Sequence, residues 1–168
     1  MKGEQMTKAT DFTPDEGELL FEVPFVVAGT SLAAIHVSAL KAVKTAFSIY
    51  LIVRDTSRQF PESECIQTIF ALKEENHERQ NALIKKHEGN SKEEAIIIRN
   101  QMCEQALGIL KEKSQPQEVE DYKRWLLQIA SEVMRQAHST GFLGLGKAHA
   151  EAEMAQALQD FTDVLQLA

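Results

Sequence analysis

Residues 141–147 read Gly-Phe-Leu-Gly-Leu-Gly-Lys, and residue 148 is Ala. The first seven match the phosphate-cradling pattern G-x-x-x-x-G-K, which in a working nucleotide loop ends in Ser or Thr because that hydroxyl ligates Mg²⁺. Ala148 offers only a methyl group. The pattern also needs a buried strand before it, whereas residues 131–140 (Ser-Glu-Val-Met-Arg-Gln-Ala-His-Ser-Thr) are polar with helical spacing. The stretch therefore argues against a nucleotide-binding α/β domain. Gly141 reads instead as the left-handed end of one helix, with Gly144 and Gly146 turning the chain tightly toward the next. Phe142, Leu143 and Leu145 then face the core or a partner, which makes them candidates for an interaction loop. Lys147, beside the next helix's N-terminus, leaves an Mg²⁺-independent anion site as a further reading.

Helical periodicity continues on both sides of this loop. Upstream, Val119, Tyr122, Leu126, Ile129, Val133 and Ala137 form one apolar seam with Trp125 beside it. Downstream, Met154, Leu158, Phe161, Leu165 and Ala168 repeat at spacings of four and three. Ser91 and Glu94 form a capping box ahead of Ala95, Ile98, Met102, Ala106 and Ile109, a helix that Ser114-Gln-Pro116 ends. Thr13-Pro14-Asp15-Glu16 is a second capping box, so a helix begins at Pro14, and Pro24 is expected to kink it or to start another.

Leu40, Val43, Phe47, Leu51 and Arg54 mark a helix over residues 38–58, although Ile49-Tyr-Leu-Ile-Val53 has the composition of a strand. A lone strand makes no sheet. Pro61-Glu62-Ser63-Glu64 opens a further helix with Ile66, Ile69, Phe70 and Leu72 inward, and the polar stretch 73–81 leaves residues 62–88 as one helix or two before Gly89-Asn90. The reading is all-α: a single-domain helical bundle of five or six helices over residues 12–168, behind a polar tail at residues 1–11.

The totals fit that reading. The chain has 168 residues, 43% apolar and 26% charged, enough for one core without disulfides. Its net charge of −7 repels a nucleic-acid backbone, and no dense basic stripe offsets it. Cys65 and Cys103 are far apart and outside any C-x-x-C pattern, so they read as buried thiols. No signal-like apolar stretch opens the sequence, which makes the cytoplasm the expected location. Residues 23–40 carry no Asp, Glu, Lys or Arg, close to the lower limit for a membrane span, but Thr30, Ser31, His36 and Ser38 favour a buried helix in water. Gly29 and Ala33 form a small-x-x-x-small pair suited to close helix contact.

The candidate metal ligands are few. Glu74 and His77 have the Glu-x-x-His spacing that turns a carboxylate and an imidazole toward one metal, as in di-iron bundles. Those sites need a second such motif. The residues three before His36, His87, His138 and His149 are Ala33, Ile84, Arg135 and Gly146, so there is none. His138 and His149 flank the glycine loop with Glu151 and Glu153 beyond it, a set that a folded-back loop would gather. Nothing resembles a nucleophile elbow or a Cys–His pair.

The sequence Gly141-Phe-Leu-Gly144, followed by Glu151-Ala-Glu153 and a short closing helix, resembles the ends of some small uncharacterised bacterial helical proteins. The resemblance covers about 25 residues and implies an all-α fold without implying an activity. The expected function is therefore non-enzymatic: protein–protein contact or self-assembly by a soluble bundle, with a homo-oligomer burying part of segment 23–40. No cofactor and no nucleic acid are expected. Two alternatives stay open, a metal-binding or ferritin-like enzyme centred on Glu74 and His77, and a membrane-associated protein using residues 23–53.

Overall fold

A computed structural model describes residues 7–71, 86, 89–138 and 146–167. Among these there are six α-helices and no strand: α1 (Pro14–Ala33), α2 (Ala39–Ser57), α3 (Glu64–Ala71), α4 (Lys92–Lys113), α5 (Pro116–His138) and α6 (Gly146–Leu165). A 3₁₀ turn at Ala9–Asp11 precedes them. The all-α reading holds. Residues 49–53 lie inside α2 and carry no strand.

The helix starts follow from the caps. Thr13 Oγ1 accepts the Glu16 amide while the Glu16 carboxylate accepts the Thr13 amide, and Ser91 and Glu94 repeat the exchange at α4. Ser38 Oγ accepts the Lys41 amide at the start of α2. The third helix begins later than the sequence suggests, because Pro61 and Glu62 occupy a turn and Ser63 Oγ caps Ile66.

α1 is the centre of the bundle and packs against α2, α3, α4 and α5. Every residue from Leu20 to Ala28 is buried, and Glu22 is the one charged side chain among them. Residues 23–28 are thus enclosed within the chain's own core. The Gly29–Ala33 pair makes no close helix contact: both residues are exposed, and a Cβ added to Gly29 would meet nothing. No helix among the described residues is long and apolar enough to cross a membrane.

Pro24 neither ends nor divides α1. A proline lacks the N–H that would reach the carbonyl four residues back. That carbonyl, Leu20 O, receives the phenol of Tyr122 from α5 instead. The seam on α5 is the face it buries: Val119, Tyr122, Leu126, Ile129, Val133 and Ala137 are at most 5% exposed, and Trp125 joins them. Tyr122 meets Leu20 near the start of both helices, while Met134 and Ala137 meet Ala34 and Ile35 near their ends, so α1 and α5 run parallel. The C-terminal end of α2 meets the middle of α5, with Gln128 Nε2 donating to Gln59 Oε1 and Trp125 Nε1 donating to Thr56 Oγ1 at 3.1 Å. α6 lies across α5 and α4 and inserts Phe161 and Leu165 into the core.

Glu118 ties three segments together at the N-terminal end of α5. Its carboxylate is 4% exposed and accepts Thr7 Oγ1, the Cys65 amide at 3.2 Å and the Gln115 amide at 3.1 Å. A buried carboxylate is tolerated because several donors replace the water it has lost.

Candidate functional site

The stripe that marks α2 as a helix is not the face that α2 buries. Thr45, Ile49, Ile52, Val53 and Thr56 point inward. On the opposite side Leu40 (66% exposed), Val43, Phe47 (82%) and Leu51 stand in solvent at spacings of three, four and four. They follow one side of the helix for about 16 Å at 1.5 Å per residue. Single exposed apolar side chains are ordinary on a protein surface, whereas an aligned row including a phenylalanine marks a contact surface. The other large exposed hydrophobic among the described residues, Ile97, lies on α4 away from this row.

The row has a charged border. Lys41, Lys44, Arg54 and Arg58 stand along or just beyond α2 against one acid, Asp55, a local surplus of three cations on a chain whose net charge is −7. Asp55 is engaged by Arg54 at 2.9 Å and by Arg58 at 3.6 Å. Lys41 and Lys44 have no carboxylate partner among the described residues. On one side the surface slopes into a cleft of about 450 Å³ between α2 and α5, bordered by Leu51, Asp55, Gln128 and Glu132. This surface was hidden in the sequence because α2 has two apolar faces of the same period. The excess of cations around one of them was the available signal.

Of the sequence-derived candidates, Glu74, His77, Phe142, Leu143 and Leu145 lie outside the described residues. His138 is half-buried at the end of α5 and His149 is exposed on the first turns of α6. The described residues do not bring them into a cluster with Glu151 and Glu153: no three His, Cys, Asp or Glu side chains among those residues are grouped to hold a metal. Glu151 faces Lys147 at 3.8 Å, and Glu153 meets His36 Nδ1 at 2.6 Å. That last pair joins residues 117 apart in sequence and no local spacing announces it. Lys147 and Ala148 sit exposed on the first turn of α6, preceded by the helix α5 rather than by a strand.

The two cysteines are free and buried. Burial pushes both thiols up to about 12; the nearby Glu118 carboxylate adds to this at Cys65, and Arg99 opposes it at Cys103. Neither has the thiolate character that nucleophilic chemistry requires.

No family model, no curated protein and no solved structure matches this chain.

Proposed function

We propose that this protein is a non-enzymatic helical bundle that acts through protein–protein contact, and that the outward face of α2 is its contact surface. The carrying observation is the aligned exposure of Leu40, Val43, Phe47 and Leu51. The basic border selects the partner: an acidic, amphipathic helix places apolar residues on the row and carboxylates beside Lys41, Lys44 and Arg58. A second copy docking α2 against α2 sets one surplus of three cations against another, which disfavours that arrangement. Segment 23–40 is a poorer self-association surface, because residues 23–28 already lie inside the core.

Two synthetic amphipathic peptides test this, one of leucine and glutamate and one of leucine and lysine, each titrated into the full chain by fluorescence anisotropy. The acidic peptide is expected to bind and the basic one not. Phe47→Asp should abolish binding, and Lys44→Glu should weaken it about tenfold or less, as for a rim charge. Equal binding of both peptides, or of neither, rejects the reading. Reversible dimerisation of the free chain that Phe47→Asp removes would assign the face to a second copy, and adsorption to anionic vesicles lost in the same variant would assign it to a membrane surface.

A further inference from the structure

α4 and α6 run side by side over the C-terminal end of α1, and between them lies a cavity of about 420 Å³. Its α4 wall carries Lys92, Ile96 and Arg99, which share one side of that helix at spacings of four and three; its α6 wall carries His149, Glu153, Gln156, Ala157 and the exposed Asp160. Arg99 is the unusual member, being only 5% exposed. Its Nε and Nη2 donate to Asn100 Oδ1 at 3.0 and 2.9 Å, and its guanidinium carbon lies 4.4 Å from the centre of the Phe161 ring. A guanidinium has five N–H donors, so these contacts leave donors unused. Among the described residues no carboxylate lies within ion-pair distance of it, although the Asp160 charge acts on it from farther away. No nitrogen of Arg99 is both fully enclosed and without a partner, so the donors left over reach solvent.

The acids on the facing wall are held by other groups. Glu153 Oε1 meets His36, and Asp160 Oδ1 accepts Gln156 Nε2 at 2.7 Å. The cavity therefore presents a cationic wall with unused donors opposite an anionic wall with unused lone pairs, and Ile96, Ala152 and Ala157 supply apolar surface between them. A multiply charged anion is attracted by one wall and repelled by the other. A molecule with one charge of each sign satisfies both. The volume lies within the range of small-molecule sites.

We propose that this cavity is a binding site for a small amino-carboxylate: the ligand's carboxylate takes the free donors of Arg99, its ammonium group faces Asp160 and Glu153, and a short aliphatic side chain lies against Ile96 and Ala157. Lys92 at the exposed end of the α4 wall draws the carboxylate inward. The site is separate from the outer face of α2 and does not depend on it.

The probes are the common L-α-amino acids, with matched simple carboxylates, simple amines and inorganic phosphate as comparators. Each is titrated into the full chain by calorimetry up to about 10 mM, beyond the weakest affinities expected of so small a ligand. At least one aliphatic amino acid should bind, and its carboxylate and amine analogues should bind more weakly. Arg99→Gln should weaken binding by about ten- to a hundredfold, the usual effect of losing a charged hydrogen bond. Asp160→Asn should weaken the amino acid while strengthening the simple carboxylate, a reversal that loss of folding does not produce. Ala152→Trp, at an exposed position, fills the cavity without removing Arg99 and should abolish binding. Absence of binding across the wild-type panel, phosphate binding as tightly as the amino acids, or affinity unchanged in Asp160→Asn and Ala152→Trp would each overturn the proposal.

Discussion

The Tyr122 phenol donates to the Leu20 carbonyl at 2.9 Å, across 102 residues of sequence. It supplies a donor to the carbonyl that Pro24 leaves without one. Both groups are buried, so neither has water as a substitute. Tyr122→Phe is expected to destabilise the fold by about 1–3 kcal/mol, the cost of an unsatisfied buried carbonyl. Pro24→Ala restores the backbone donor, and in that background Tyr122→Phe should cost distinctly less, with a coupling of about 1 kcal/mol between the two changes. Urea unfolding of the four proteins measures it. Equal costs in both backgrounds would show that the phenol does not stand in for the missing amide.

The two faces of α2 should respond oppositely to truncation. Ile49→Ala, on the inner face, is expected to cost about 2–4 kcal/mol through the cavity it leaves. Phe47→Ser, on the outer face, should change stability by about 0.5 kcal/mol or less. Comparable losses in denaturation midpoint would mean that the outer row is packed and not free for a partner.

Glu16 titrates below its ordinary 4.5, first because Lys113 Nζ donates to it at 2.6 Å and then because the Thr13 amide does. A depressed folded-state pKa stabilises the protein above the unfolded value, and that contribution disappears as pH falls through the folded one. The stability difference between wild type and Lys113→Met should therefore be full at neutral pH and fade below about pH 4.5. It should also shrink in high salt, because the pair is partly exposed. Carboxyl resonances followed through an acid titration check the shift directly, and an ordinary midpoint for Glu16 would refute it.

Cys65 and Cys103 should resist a thiol-reactive disulfide reagent in the native protein and react together on unfolding. Their thiols titrate near 12 when folded, against 9.0 when free. A raised pKa favours the folded state while the thiols stay protonated, so this contribution is intact below pH 9 and is lost as pH rises toward 12. Rapid modification of Cys103 alone at pH 8 would reveal local opening of α4.

How far the sequence could be read depended on how many faces each helix presents. α5 has one apolar seam, and every residue chosen for it is buried. On α4 the stripe read from spacing is only partly the buried one: Ala106 is buried, whereas Ala95, Ile98, Met102 and Ile109 lie at the shoulder of a face formed by Arg99, Cys103, Ala106, Leu107 and Leu110. Arginine does not score as apolar, and nothing local indicates that Phe161 lies over it. α2 offered two candidate faces, and only its neighbours decide between them. The facing walls of the Arg99 cavity come from helices about 60 residues apart and leave no spacing to detect. Proline rules anticipated a kink or a second helix at Pro24; α1 continues through it, and a tyrosine one hundred residues later donates to the carbonyl that Pro24 leaves without an amide.

The placement of α1 also bears on biosynthesis. The enclosed stretch Leu20–Ala28 is translated ahead of Tyr122, Trp125 and the rest of the α5 seam, which follow about one hundred residues later. At usual elongation rates of about 5–20 residues per second, Leu20–Ala28 waits roughly 5–20 seconds before α5 leaves the ribosome. During that interval the nascent chain displays its stickiest segment without its main covering surface. Chains that stop short of α5 retain this exposure permanently, which makes them the species that chaperones and proteases should meet first.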